Sequence, residues 1–127
     1  MKKAIILLIA ILTIPTALAE ANSKLDGVYT RYINGKTDSN SSEITLKNIK
    51  HNEFNVTGTS IWVGNAETGN VNTGEFAGTS IAKDNILDIS SDGCKLTITV
   101  SEDSLTVTKD NFGCGGLNVS FDGFYKK

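Results

Sequence analysis

Beyond residue 24 the chain consists of short runs in which apolar and polar residues alternate, each broken by Gly, Asn, Asp or Ser. In Cys94-Lys95-Leu96-Thr97-Ile98-Thr99-Val100 every second residue is apolar. Ser101-Glu102-Asp103-Ser104 supplies turn chemistry, and Leu105-Thr106-Val107-Thr108 resumes the alternation. Successive side chains on a strand point to opposite faces, so Leu96, Ile98, Val100, Leu105 and Val107 share the buried face of a hairpin. Nowhere does an apolar period of about 3.6 persist over three turns, so no helix is expected.

Upstream, 26–33 reads as a strand closed by Asn34-Gly35, and 42–49 carries Ile44 and Leu46 on one face. After a polar turn at 50–52, Phe54 and Val56 continue, and the phase then slips at Gly58 to Ile61 and Val63, which predicts a bulge there. Residues 64–74 read as the longest loop. Strands over 75–82 and 86–90 follow, with Asp84-Asn85 as a tight turn between them. Leu117, Val119, Phe121 and Tyr125 predict a last strand over 117–125. About eight short strands at this spacing make the chain all-β, a small antiparallel up-and-down barrel or meander. One echo favours the barrel over an open sandwich. Leu25-Asp26-Gly27-Val28-Tyr29 returns near the end as Phe121-Asp122-Gly123-Phe124-Tyr125, and pairing of the first strand with the last would cover exposed edges.

The N-terminus sets the expected compartment. Met1-Lys2-Lys3, an apolar stretch over 4–14 and Ala17-Leu18-Ala19 have the order of a secretory signal peptide over 1–19, leaving 20–127 as a single domain, periplasmic or secreted. The apolar stretch falls short of the roughly 20 residues a membrane span needs, so no stable membrane anchor is expected. Export brings an oxidising compartment, and there an even pair, Cys94 and Cys114, reads as one disulfide. Lys2 and Lys3 leave with the leader, so 10 of the 12 basic residues face 14 acidic ones, a net of −4. Such a surface disfavours nucleic acid and suits a basic protein partner.

Little in the chain points to catalysis. His51, the sole histidine, lies in a polar turn, and the two cysteines are committed to each other. Glu102 and Asp103 belong to a hairpin turn, and no phosphate loop, dinucleotide fingerprint or calcium loop is present. The reading is therefore a non-enzyme with no metal, no cofactor and no catalytic residue, which leaves binding. Trp62, the only tryptophan, is either core filler or a partner anchor beside Asn65, Glu67 and Glu75.

From Trp62 onward the segments Gly64-Asn65-Ala66, Thr68-Gly69, Gly74-Glu75-Phe76-Ala77-Gly78, Cys94-Lys95-Leu96, Cys114-Gly115 and Gly123-Phe124-Tyr125-Lys126 resemble LprI-type lysozyme-inhibitor-like exported bacterial domains. The resemblance covers roughly half of the mature chain. It implies an envelope protein that binds and blocks lysozyme or another cell-wall hydrolase. The Ser-Gly-x-x-Tyr loop that the better-known barrel inhibitors insert into the enzyme cleft does not occur in this sequence. Two other readings stand beside it: an immunity protein against an envelope-targeting toxin, and a lipocalin-like carrier of a small ligand.

Overall fold

A computed structural model describes residues 24–127, so the expected leader at 1–19 lies outside the described residues. Nine strands follow one another: β1 Gly27–Ile33, β2 Lys36–Thr37, β3 Ser42–Lys50, β4 Glu53–Asn65, β5 Asn70–Ile81, β6 Ile86–Ser91, β7 Cys94–Ser101, β8 Ser104–Thr108 and β9 Gly123–Lys126. Eight of them form one antiparallel sheet in the order β5-β4-β3-β1-β9-β8-β7-β6, with β2 a short flap on β1. The sheet curls until its two ends, β5 and β6, stand side by side without a ladder between them. The all-β expectation holds, and the architecture is a nearly closed barrel with one disulfide, Cys94–Cys114.

Period-two patterning builds this shape directly. Leu87 and Ile89, then Leu96, Ile98 and Val100, then Leu105 and Val107 turn inward from three consecutive strands, where they meet Tyr29, Ile44, Leu46, Phe54 and Val56. Two-residue connections fix the registers: Asn34-Gly35, Asp84-Asn85 and Asp92-Gly93 all have positive φ at both positions. Such turns twist in the sense that flanking strands require, and Asn, Asp and Gly tolerate the conformation best.

Three local expectations change. No bulge forms at Gly58, which stays in register with Ile44 on one side and Phe76 on the other. The inward phase runs on through Gly58 and Ser60, and Ile61 is outside. The cause is aromatic bulk opposite. A Cβ on Gly58 would stand 2.3 Å from the Phe76 ring and 2.9 Å from that of Phe121, rings that meet edge to face with centroids 4.8 Å apart. The register shifts lie instead at Asn48/Lys50 and Val63/Asn65. Next, 64–74 is no loop: β4 and β5 continue through it as a hairpin closed by a four-residue turn at 66–69. Lastly, 117–125 is strand only from Gly123. Val119 and Phe121 are buried as expected, whereas Leu117 points away at 78 % exposure.

The terminal echo is a structural repeat. Each tyrosine hydroxyl donates to the carbonyl four residues back, Tyr29 to Leu25 at 2.7 Å and Tyr125 to Phe121 at 2.6 Å. Each aspartate accepts a backbone N–H from the neighbouring segment, Asp26 from Asn48 at 2.6 Å and Asp122 from Asp110 at 3.0 Å. Each glycine adopts a φ that side chains resist, 151° at Gly27 and 145° at Gly123. The first and last strands do pair, through Thr30↔Lys126, Arg31↔Tyr125 and Tyr32↔Phe124. This pairing sits at the centre of the sheet, and the remaining gap is at β5 and β6.

Candidate functional site

β3 stops pairing with β4 at Ser42↔Ser60, while β4 and β5 pair onward through Ile61↔Thr73, Trp62↔Asn72 and Val63↔Val71 to Asn65↔Asn70. The β4–β5 hairpin therefore stands above the barrel rim. Asn65 builds its tip. Its carboxamide oxygen accepts the N–H groups of Glu67 at 3.0 Å and Thr68 at 3.3 Å, an arrangement in which an Asn side chain substitutes for a backbone turn. The structure thus gives Asn65 a turn-building role and leaves Glu67 exposed at the tip.

Trp62 is half-buried, intermediate between the two readings of it. Residues paired on one rung share a face, so its indole lies on the side of Asn72, and a Cβ on Gly64 would come within 2.4 Å of the ring. Asn72 Nδ2 donates to the Leu117 carbonyl at 2.8 Å, which seats the 109–122 segment against the same hairpin. Glu75 stands apart: it is exposed on β5, its N–H donating to the Cys114 carbonyl at 3.1 Å, near Asp92 rather than near the tip. Of the four expected contact residues, Trp62, Asn65 and Glu67 share the hairpin and Glu75 belongs to the β5–β6 side.

Leu117 and Phe112, at 78 % and 63 % exposure, are the large apolar groups most open to water. Sequence pattern misplaced the first by extending the last strand back to it. The signal was Gly115-Gly116 immediately before it, which unlocks the strand phase. Their segment is held hard from below. Asp110 accepts the N–H of Phe121 at 2.6 Å through one carboxylate oxygen and that of Phe112 at 2.8 Å through the other, and Cys94–Cys114 ties the loop to β7. Arg31, buried, pairs its Nε with Asp38 at 2.6 Å and donates a second N–H to the Ser120 carbonyl at 2.6 Å. A buried, doubly bonded guanidinium thus locks the 34–41 connection to the 109–122 segment.

The remaining polar chemistry lies in the wall. Tyr125 OH and Ser42 Oγ are 2.7 Å apart, and burial pushes the Tyr125 hydroxyl up to about 12 despite the lowering pull of Ser42 and Arg31. Burial, reinforced by Asp103 and Asp26, likewise raises Tyr29. Neither hydroxyl is poised for proton transfer near neutrality. His51 is exposed in the β3–β4 turn. Among the described residues no three His, Cys, Asp or Glu side chains converge on a point that a metal ion could occupy.

Comparison with known proteins returns no matching family, no matching curated relative and no matching solved structure. The fold and its rim define a class: a small disulfide-stapled antiparallel barrel presenting a rigid hairpin and a pinned loop. Among the described residues no helix is long and apolar enough to cross a membrane.

Proposed function

We propose that the chain is an exported, non-catalytic binding protein that presents the hairpin tip and the 109–122 loop to a basic protein partner, a cell-wall hydrolase of lysozyme type. The observation that carries this reading is the hairpin itself. Ile61 N–H donates to Ser41 O at 2.9 Å and Thr73 O accepts Gly116 N–H at 3.0 Å; beyond that rung β4 and β5 pair only with each other, held by Val63 N–H on Asn40 Oδ1 at 3.2 Å, the Asn72–Leu117 contact and the turn bonds of Asn65. A preorganised protrusion with a half-buried tryptophan and a projecting leucine loses little freedom on docking. Aromatic groups so placed are frequent centres of binding energy. An acidic chain and a cationic enzyme also meet faster. The carrier alternative is less well supported. Tyr29, Phe54, Phe76, Phe121 and Tyr125 fill the barrel interior at 0–7 % exposure, where a small apolar ligand would have to sit.

The test is clearance of a bacterial cell-wall suspension by several lysozymes. Micromolar mature protein slows at least one of them, and Trp62→Ala and Leu117→Ser each weaken the effect at least tenfold. No slowing of any hydrolase removes this reading.

A further inference from the structure

The outer wall of the barrel carries an aromatic and polar patch that the fold itself does not use. Along β1 and β9 the side chains of Tyr29, Arg31 and Tyr125 are buried inside, so Thr30, Tyr32, Phe124 and Lys126 face outward. Tyr32 and Phe124 are partners on one rung, and Thr30 and Lys126 are partners two residues away. Cross-strand partners stand close enough to pack, so the two rings make one apolar step on the surface. Phe124 remains 43 % exposed there, and Tyr32 is half-buried. The Asn34-Gly35 turn rises at one end of the step and, with Tyr32, Phe124 and Lys126, bounds a depression of 460 Å³. That volume falls in the range of about 300–1,000 Å³ usual for small-ligand sites.

The polar groups around the depression are uncommitted. Among the described residues the Tyr32 hydroxyl, the Asn34 carboxamide and the Lys126 ammonium make no hydrogen bond or ion pair, whereas Asn40, Asn65 and Asn72 each bond a backbone group. Lys127 also borders the depression but turns its ammonium to the Lys24 carbonyl at 2.8 Å. Lys126 is therefore the available cation, and its rung neighbours Thr30 and Ser104 are uncharged. Glu43 stands one strand further on, beyond Thr30. The backbone beneath is fully paired, because β1 and β9 lie mid-sheet with a neighbour on each side. An extended peptide finds no main-chain partner here, and a polyanion finds a single ammonium where it needs a cluster.

We propose that this depression binds an acidic sugar, a pyranose ring carrying a carboxylate. One face of such a ring is flat and made of C–H groups, which pack on the Tyr32–Phe124 step. Its hydroxyls meet the Asn34 carboxamide and the Tyr32 hydroxyl, and its carboxylate meets Lys126. None of these residues belongs to the β4–β5 hairpin or to the 109–122 segment, so the sugar site stands or falls separately from hydrolase binding.

Titration of the isotope-labelled, oxidised chain with N-acetylmuramic acid, which bears a carboxylate, is compared with N-acetylglucosamine, the same ring without one. Saturable amide shifts centred on Tyr32, Asn34, Gly35, Phe124 and Lys126 are expected, with the neutral sugar bound about threefold more weakly. Phe124→Ala alters only the outer face, keeps the barrel and weakens the acidic sugar about fivefold. Lys126→Gln makes the two sugars equal. Sedimentation with purified peptidoglycan separates the sources of such a sugar. Retention that Phe124→Ala removes assigns the polymer, and saturable binding of the monosaccharide without retention assigns the free sugar. Absent or scattered shifts, equal binding of both sugars by the parent chain, or benzoate bound at these residues as tightly as the acidic sugar overturn the proposal.

Discussion

Replacing Cys94 and Cys114 together by serine probes how the 109–122 segment is held. The bond joins residues 20 apart in sequence with Cα atoms 4.4 Å apart. Closing a loop of that length restricts the unfolded chain by about 3 kcal/mol in the chain-entropy account. Released, the loop must find its place through Asp110, the Arg31–Asp38 pair, the burial of Val119 and Phe121 and its hydrogen bonds to Thr73, Asn72 and Glu75. Those contacts are extensive: Phe121 is fully buried against Phe76, and Asp110 holds its backbone at 2.6 Å. The serine variant therefore folds, with stability reduced by about 3 kcal/mol, a large share of the roughly 5–15 kcal/mol typical of a domain. In thermal unfolding of a domain this size the change reads as a fall of about 10–15 °C. Urea unfolding monitored by Trp62 fluorescence should give a lower midpoint and a somewhat steeper slope, because the unlinked unfolded chain exposes more surface. A loss under about 1 kcal/mol would refute the reasoning, because the loop would then be equally confined without its covalent link.

Gly58→Ala places a methyl group against the Phe76 and Phe121 rings. Overpacking costs about 1–3 kcal/mol, offset by up to about 1 kcal/mol from the stiffer unfolded chain. Denaturant titration is expected to show a net loss of about 1–2 kcal/mol. Asp38→Ala leaves the Arg31 guanidinium buried without its carboxylate, and the same titration should show a loss of about 3 kcal/mol. Alkaline pH separates Tyr125 from the rest. Its hydroxyl ionises at about 12 when folded against 10.0 in the open chain, so its contribution is fully present below pH 10 and fades as pH rises toward 12. That gap is worth about 3 kcal/mol. Tyr125→Phe should consequently lose less stability than the parent between pH 9 and 12, as read by urea midpoints.

Where one face is wet and the other buried, alternation is enough to read the strands, and β6 to β8 were legible to within one residue at their ends. Legibility failed where a distant group decides the local pattern. Gly58 and Ser60 look like a break in phase because the aromatic bulk that fills their side of the sheet comes from Phe76 and Phe121. The stretch 64–74 looks like a loop because a hairpin standing clear of the barrel has no buried face to advertise. Its order comes from Asn65 and from the 109–122 segment. For the same reason Trp62 was recognisable as a candidate and Leu117 was not. The disulfide was legible from the cysteine count and expected compartment, though the strand-like role of Cys114 to Gly116 beside β5 was not.

The echo at the two ends accounts for the position of the seam between β5 and β6, where no ladder forms. Thr30 and Lys126 occupy the same place in the repeated segment and face each other across β1 and β9, so a local two-fold axis passes through that pair. From this axis the sheet grows outward by three strands on each side, β3-β4-β5 and β8-β7-β6. Each half begins on the same lock, a tyrosine bonded four residues back and an aspartate bonded to the adjacent segment. Those locks fix the centre, and every rung beyond β4 or β7 depends on hairpin contacts alone. The edges that meet at β5 and β6 are thus the farthest from both locks and the least determined by them. Closure there falls to one serine hydroxyl, one tight turn and the disulfide loop. It follows that opening should be detectable at this seam before anywhere else: Ser90 and Thr79 amides exchange with solvent ahead of their neighbours in β7 and β4, strands paired on both sides. Uniform protection across β4 to β7 would mean that the seam is as tightly bonded as the ladders.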